Sequence, residues 1–394
     1  MTQSDAGHPL GRLVRPGPRV VVGLMSGTSL DGVDAAVVRV EGTAADGSLG
    51  VETLGFRSEP YGPALRDAIG ACAEAATSDV RAVSQLHARL GERFAEVARA
   101  ALDAAGLAAG ALDLVGSHGQ TVQHVPEAED YAGAPTRSTL QVASPAVIAA
   151  RLGVPVVADF RAGDLALGGQ AAPLAPYLDG ALFAHPAETR VLLNLGGIAN
   201  LTVLPPGGPA RSAFDTGPAN MVIDALAQRA GLPYDEGGRL GARGTPDERA
   251  LAELLAAPFF AQPPPKSTGR EDFGAAFVDR LAALVADPAD TVATATALTA
   301  RSVAQAVRRH VGPAPARVIA SGGGVHNPTL MAMLADALGG TPLETTAVHG
   351  LDPDAKEAVL FAVLAHEWAN GVRTGLPAVT GASAPAFQGS LTLP

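Results

Sequence analysis

Only two lysines, Lys266 and Lys356, occur in the 394 residues, and neither lies in a G-x-x-x-x-G-K-[ST] string. A lysine-dependent P-loop is excluded, so any bound phosphate falls to backbone N–H groups, hydroxyls, arginine or a metal. Cysteine is all but missing. Cys72 stands alone, which rules out an internal disulfide and a cysteine-based metal cluster and reads as a small buried hydrophobe. Positive charge is in deficit as well. A formal net charge of -11 argues against nucleic acid or an anionic membrane as partner, because phosphate backbones demand a basic face. No apolar run reaches the roughly 20 residues that span a bilayer. Residues 1–18 are polar and Pro/Gly-rich without an apolar core, and read as a disordered leader rather than a signal peptide. A soluble, cytoplasmic protein is expected.

What is present is a large apolar fraction, 47% hydrophobic against 17% charged, in a chain long enough for two domains. The opening run Val20-Val21-Val22-Gly23-Leu24-Met25-Ser26-Gly27-Thr28-Ser29-Leu30-Asp31-Gly32-Val33-Asp34-Ala35-Ala36-Val37-Val38 reads as strand, polar glycine turn and returning strand. Strands at 19–24, 35–40 and 51–57 make an antiparallel meander. Helical spacing follows at 64–74 and 79–105, then strands at 112–116, 139–142 and 154–158 with crossover helices between. Near Arg190 the design recurs: Val191-Leu192-Leu193-Asn194-Leu195-Gly196-Gly197-Ile198-Ala199-Asn200-Leu201-Thr202-Val203-Leu204 is again strand, glycine turn and strand. One long-period internal repeat, too long for a solenoid, implies two similar lobes. Helices are expected at 221–230, 246–255, 275–285 and 292–310. A strand at 317–320 runs into Ser321-Gly322-Gly323-Gly324 before a helix at 329–338. A last helix at 355–370 precedes a Pro/Ala/Gly-rich tail that reads as loose.

Each glycine turn alone is unspecific; their order carries information. Two antiparallel hairpins and a later strand-to-helix Gly-Gly-Gly turn resemble the actin, hexokinase and heat-shock chaperone superfamily. The expected fold is therefore α/β: a two-lobed actin-like ATPase (ribonuclease H-like), each lobe a mixed sheet flanked by helices, with the nucleotide cleft between. The first lobe is expected at 19–188 plus 355–372, the second at 189–354, and the tail at 373–394. Narrower still, Met25 to Asp34, Ser117-His118-Gly119-Gln120-Thr121, Ala158-Asp159-Phe160-Arg161 running to Asp164, and Ala166-Leu167-Gly168-Gly169-Gln170 resemble the anhydro-N-acetylmuramic acid kinase family. Asn194 to Thr202, Phe214-Asp215-Thr216-Gly217-Pro218-Ala219-Asn220, Lys266-Ser267-Thr268-Gly269-Arg270-Glu271 and Ser321 to Gly324 continue the likeness in family order.

The resemblance implies a cytoplasmic enzyme of peptidoglycan recycling and amino sugar catabolism, with ATP and Mg²⁺ as cofactors and a homodimer as its assembly. Water opens the 1,6-anhydro bridge of the sugar while O6 takes the γ-phosphoryl group, giving N-acetylmuramic acid 6-phosphate and ADP. In the anhydro sugar O6 carries no proton, so the base acts on the water that attacks C1. Asp164 stands at the family's position for that base; its bland reading is a helix N-cap. Asp159 is the runner-up.

The first phosphate turn comprises Gly27, Thr28, Ser29, Leu30, Asp31, Gly32, Val33 and Asp34, with Asp31 holding Mg²⁺ through water. Asn194, Gly196 and Gly197 make the second, and Gly322, Gly323 and Gly324 lie beside adenosine. Asp215 either faces the metal or caps the next helix. His118, Gln120, Thr121, Asp159, Arg161 and Gln170 are expected sugar contacts, and Arg137 or Arg161 is a candidate for the lactyl carboxylate. Ser267 and Thr268 are candidate helix caps, and Glu357 is favourable at the last helix's N-terminus with or without a ligand. The lobes are expected to close around one retained water. The family carries glycine where this chain has Ala171, and a negative φ is expected there. The alternatives are a levoglucosan-type anhydrosugar kinase and a non-catalytic ATP-binding protein of the same fold.

Overall fold

The computed structural model describes residues 11–14, 17–27, 29–311 and 315–394. Most of the expected leader lies outside the described residues; within it, Gly11–Val14 forms one helical turn with Leu13 buried. Two compact units result, Met1–Ala181 with Glu357–Pro394, and Leu182–Lys356.

The first unit is built on a mixed sheet ordered β12-β6-β4-β1-β2-β3, with β5 hairpinned onto β4. Strands β1 (Arg19–Ser26), β2 (Gly32–Glu41) and β3 (Gly50–Pro60) form the antiparallel meander, Val21 lying opposite Val38. Strands β4 (Leu114–Tyr131) and β6 (Val156–Ala158) add to it in parallel, and β5 (Ala134–Val142) returns antiparallel along β4. The β-branched runs of β1 and β2 are buried on both faces, as a sheet covered by helices requires. One cover is Val80–Ala104, capped by the Asp79 carboxylate and burying Leu86, Leu90, Phe94 and Val97 at helical spacing. Another is Lys356–Ala369, whose backbone lies directly on the sheet. A Cβ at Gly23 would come within 1.8 Å of the Ala358 carbonyl, and one at Gly116 within 2.0 Å of that of Phe361. Glycine in these central strands is thus set by helix packing.

Three sequence expectations need correction here. The strand expected at 112–116 does not stop there: residues 117–121 lie within β4, Ser117 pairing with Leu24 of β1 and Ala158 of β6, and Gln120 and Thr121 with β5. Residues 32–34 belong to β2 rather than to the loop. The tail is ordered: β12 (Ser390–Thr392) pairs antiparallel with β6, and the turn Pro377–Thr380 bonds to residues of the site described below. Composition marked it as loose, yet backbone pairing at a free sheet edge satisfies it.

The second unit carries a five-stranded sheet ordered β11-β10-β7-β8-β9. Here β7 (Arg190–Leu195), β8 (Ile198–Leu204) and β9 (Ser212–Pro218) are the antiparallel meander, and β10 (Arg317–Ser321) and β11 (Leu343–Thr345) run parallel to β7. Strand for strand this repeats β1, β2, β3, β4 and β6. The long helix Pro288–His310 buries a row of hydroxyls at 0–4% exposure, explained by their bonds. Thr291, Thr294 and Thr296 donate back to carbonyls four residues earlier, and Thr299 donates to the Pro218 carbonyl at the end of β9 at 2.9 Å.

Candidate active site

In the first unit the polar turn leaves β1 at Ser26 and enters β2 at Gly32. Its geometry rests on a buried chain of side chains. The Tyr61 hydroxyl donates to Ser26 Oγ at 2.8 Å, and Ser26 Oγ lies 2.6 Å from Gln120 Oε1 and 2.7 Å from the Gly32 carbonyl. Gln120 Nε2 then donates to the Gly27 carbonyl at 3.2 Å, so β4 holds the turn directly. Burial pushes the Tyr61 hydroxyl up to about 12, so it stays a donor at neutral pH. Leu30 takes φ 61°, and Asp31 is exposed, with a 4.0 Å contact to Arg66 as its one ion pair among the described residues. An open carboxylate of this kind fits a hydrated Mg²⁺, which keeps several waters. Ser29 is exposed at the turn, Val33 is buried in β2, Asp34 sits opposite Met25, and Thr28 lies outside the described residues.

Beside it, β4, β6 and the short helix Ala162–Ala166 bring together most of the expected sugar contacts. His118 is 4% exposed, and Arg161 Nε donates to its Nε2 at 3.0 Å, which leaves the proton on Nδ1 facing the Gly119 carbonyl at 2.9 Å. Desolvation, then the Arg161 charge, hold this imidazole neutral, well below the usual histidine range. Burial likewise lowers Arg161 to about 10, opposed by the Glu357 carboxylate. Arg161 Nη1 reaches the Ala171 carbonyl at 2.6 Å, and Arg137 Nη1 reaches that of Gly168 at 3.0 Å. Asp159 adopts φ 59° at the end of β6, where desolvation raises its carboxyl above the ordinary value. Strain at a strand end is a mark of functional positions. Thr121 is half-buried, and exposed Gln170 donates to Glu127 at 3.0 Å.

Asp164 is the carboxylate around which this region is built. It is 0% exposed and is not an N-cap, standing instead inside the helix Ala162–Ala166. Its Oδ2 accepts from the Ala171 N–H at 2.8 Å and its Oδ1 from Thr380 Oγ1 at 2.9 Å. Gly169 packs so closely that a Cβ there would meet Asp164 Oδ2 at 2.1 Å. Ala171 takes φ 56°, against the expected negative value. The turn demands the left-handed conformation, and the Arg161 and Asp164 bonds on either side of Ala171 hold it there at a cost of about 1–2 kcal/mol. Tyr61 and Thr380 escaped the sequence reading; neither lies in a glycine turn.

The second unit offers its own glycine turn between β7 and β8. The Gly196 and Gly197 carbonyls accept from the N–H groups of Asn220, Ala219 and Met221, and Asn220 Nδ2 donates to the Leu195 carbonyl. Gly322, at φ 82°, passes so near that a Cβ would lie 2.7 Å from Asn194 Oδ1, and Gly324 would meet Leu195 at 2.6 Å. Gly323 is exposed between them. All three expected pieces, Asn194, 196–197 and 322–324, therefore adjoin, forming a glycine cradle a side chain would fill. Such a cradle fits a nucleotide. Asp215 stands mid-way along β9, and its carboxylate accepts from the Thr268 N–H at 2.9 Å. Desolvation raises this carboxyl to about 6, with Glu271 raising and Lys266 lowering it. Thr268 thus serves Asp215 and Asp272 rather than capping a helix, and the following helix Arg270–Phe273 has no side-chain cap.

A duplicated sheet of order 3-2-1-4-5, each copy with a glycine turn at the first hairpin, is the architecture of the actin- and hexokinase-like fold. A family model described as anhydro-N-acetylmuramic acid kinase matches residues 19–394. A protein of that description from Salinibacter ruber is 54% identical over 391 residues, covering 97% of this chain and 98% of its own. Another from Caldanaerobacter subterraneus is 44% identical over 393 residues, covering 97% and 99%. Among solved structures, a ROK hexokinase from Thermus thermophilus has a TM-score of 0.33 at 17% identity, over 87% of this chain and 98% of that one. The chain belongs to the anhydro-N-acetylmuramic acid kinase family. No helix among the described residues is long and apolar enough to cross a membrane.

Proposed function

We propose that the chain phosphorylates 1,6-anhydro-N-acetylmuramic acid at O6 with ATP while water opens the anhydro bridge, giving N-acetylmuramic acid 6-phosphate and ADP. The observation that carries this reading is a wholly buried carboxylate, Asp164, with each oxygen held by one donor, in a chain of that family. The acceptor oxygen has no proton to give up. Asp164 therefore takes a proton from water as the water oxygen bonds C1, the C1–O6 bond breaks, and O6 bonds the γ-phosphorus as ADP leaves. Mg²⁺, bound with ATP, would neutralise charge developing on the phosphates.

This chain's residues supply the rest. The 26–31 turn, fixed by Tyr61, Ser26 and Gln120, and the cradle of 196–197 and 322–324 offer backbone N–H groups and close approach to phosphate. Asp31 and Asp215 are the candidate carboxylates for the metal. Arg161 and Arg137 are the cations nearest the 168–171 turn and suit a sugar carboxylate. The proposed setting is the cytoplasm, where peptidoglycan sugar is recycled; a chain with a single, buried cysteine agrees with a reducing compartment. Asp164→Asn is expected to keep ATP affinity and lose phosphoryl transfer by at least 10²-fold, the scale of one general base. Near-wild-type turnover in that variant would remove Asp164 from the chemistry.

A further inference from the structure

We infer that the C-terminal segment is part of the acceptor-side machinery and that Thr380 is a positioning residue for Asp164. This rests on the reading of Asp164 as the base. The observation behind it is independent of the family's glycine turns. Thr380 lies 216 residues from Asp164 in sequence, is 3% exposed, and donates its hydroxyl proton to Asp164 Oδ1 at 2.9 Å. The competing acceptor, the Leu376 carbonyl, is at 3.3 Å, so the shorter, charge-assisted bond takes the single proton.

The contact is not isolated. Gln170 donates its N–H to the Thr380 carbonyl at 2.9 Å, and the Ser383 N–H and hydroxyl both reach the Leu167 carbonyl, at 2.9 and 3.0 Å. Ala382 closes the far side of Gly169, where an added Cβ would lie 2.9 Å from the Ala382 Cβ. Residues 380–383 therefore clamp the whole 164–171 turn. The clamp fixes the carboxylate in one rotamer. With Oδ2 committed to the Ala171 N–H and Oδ1 to Thr380, each oxygen keeps one lone pair, and its direction is set by these two bonds.

Two consequences follow for a carboxylate base. Losing the Thr380 donor leaves Asp164 Oδ1 without the hydrogen bond that holds it. It also frees the side chain to rotate, and misplacement of about 1 Å can cost 10²-fold in rate. A residue that only supports the fold would lower thermal stability without a selective loss of kcat that a hydroxyl alone restores.

The test compares Thr380→Val, which keeps shape and loses the hydroxyl, with Thr380→Ser, which keeps the hydroxyl, using full-length enzyme, ATP, Mg²⁺ and the anhydro sugar. Thr380→Val is expected to lower kcat by about 10- to 100-fold and leave KM for ATP within about 2-fold. Thr380→Ser should restore most of the rate. A kcat within 2-fold of wild type in Thr380→Val overturns the inference, as does a lowered kcat that Thr380→Ser fails to restore. Asp164→Asn measured alongside separates the two ideas: if it stays active the base is elsewhere, whereas an inactive Asp164→Asn with an unaffected Thr380→Val defeats only the role of Thr380.

Discussion

Gly169→Ala probes the site through one methyl group. Its φ lies outside the left-handed region, so the effect is steric and not torsional. The new Cβ would stand 2.1 Å from Asp164 Oδ2 and 2.7 Å from its Cγ, with the Ala382 Cβ behind it at 2.9 Å. Retreat toward the tail is blocked, so the carboxylate must move by about 1.3 Å to restore an ordinary contact. Such a shift stretches both the 2.8 Å bond from the Ala171 N–H and the 2.9 Å bond from Thr380 beyond useful length. Two hydrogen bonds to a charged group, at about 1.5–3 kcal/mol each, put the loss at about 3–6 kcal/mol before relaxation. A displaced base at this scale costs about 10²-fold in kcat. Thermal unfolding of the variant and ADP release with the anhydro sugar measure the two effects. Gly70→Ala is the control, because nothing lies within 4 Å of a Cβ there and alanine in a helix gains about 0.5–1 kcal/mol. A Gly169→Ala enzyme with wild-type melting and turnover would refute the claim that this glycine exists to admit the carboxylate.

Asp215→Asn tests the raised carboxyl of the second unit. Folding lifts Asp215 from 3.8 to about 6, so the folded chain binds the proton more tightly than the unfolded one, and wild-type stability falls as pH rises through that window. The variant lacks the penalty: it should melt like wild type near pH 4 and be more stable by about 2–3 kcal/mol above pH 7, and an equal pH dependence in both proteins contradicts this. Tyr61→Phe removes the donor to Ser26 Oγ from a buried site. It should cost about 1–2 kcal/mol and raise KM for ATP several-fold with little change in KM for the sugar; an unchanged KM for ATP in a destabilised enzyme limits Tyr61 to the core.

What the sequence made legible was local. Alternating β-branched runs around glycine turns placed β1, β2, β7 and β8, because periodicity and turn chemistry act within a few residues. The repeat of the hairpin at Asn194 foretold two similar sheets. What stayed hidden depends on distant partners. The sequence pattern ends the strand at Gly116 because glycine and polar residues follow, but pairing of Ser117 with β1 and β6 and of Gln120 and Thr121 with β5 carries it on, and His118 and Gln120 are buried as supports of Arg161 and the phosphate turn. Thr380 reaches Asp164 across 216 residues, from a segment whose composition reads as loose. Ala171 keeps a positive φ because its neighbours' bonds outweigh the strain, a balance invisible to a residue-by-residue preference.

The reaction itself is tested most directly by the fate of water oxygen. With the anhydro sugar and ATP in ¹⁸O-water, the 6-phosphorylated product should carry one ¹⁸O at C1 and none in its phosphoryl group under conditions where the anomeric hydroxyl does not exchange. A 6-phosphate without label at C1, or a product that keeps the anhydro bridge, would contradict attack by an Asp164-activated water.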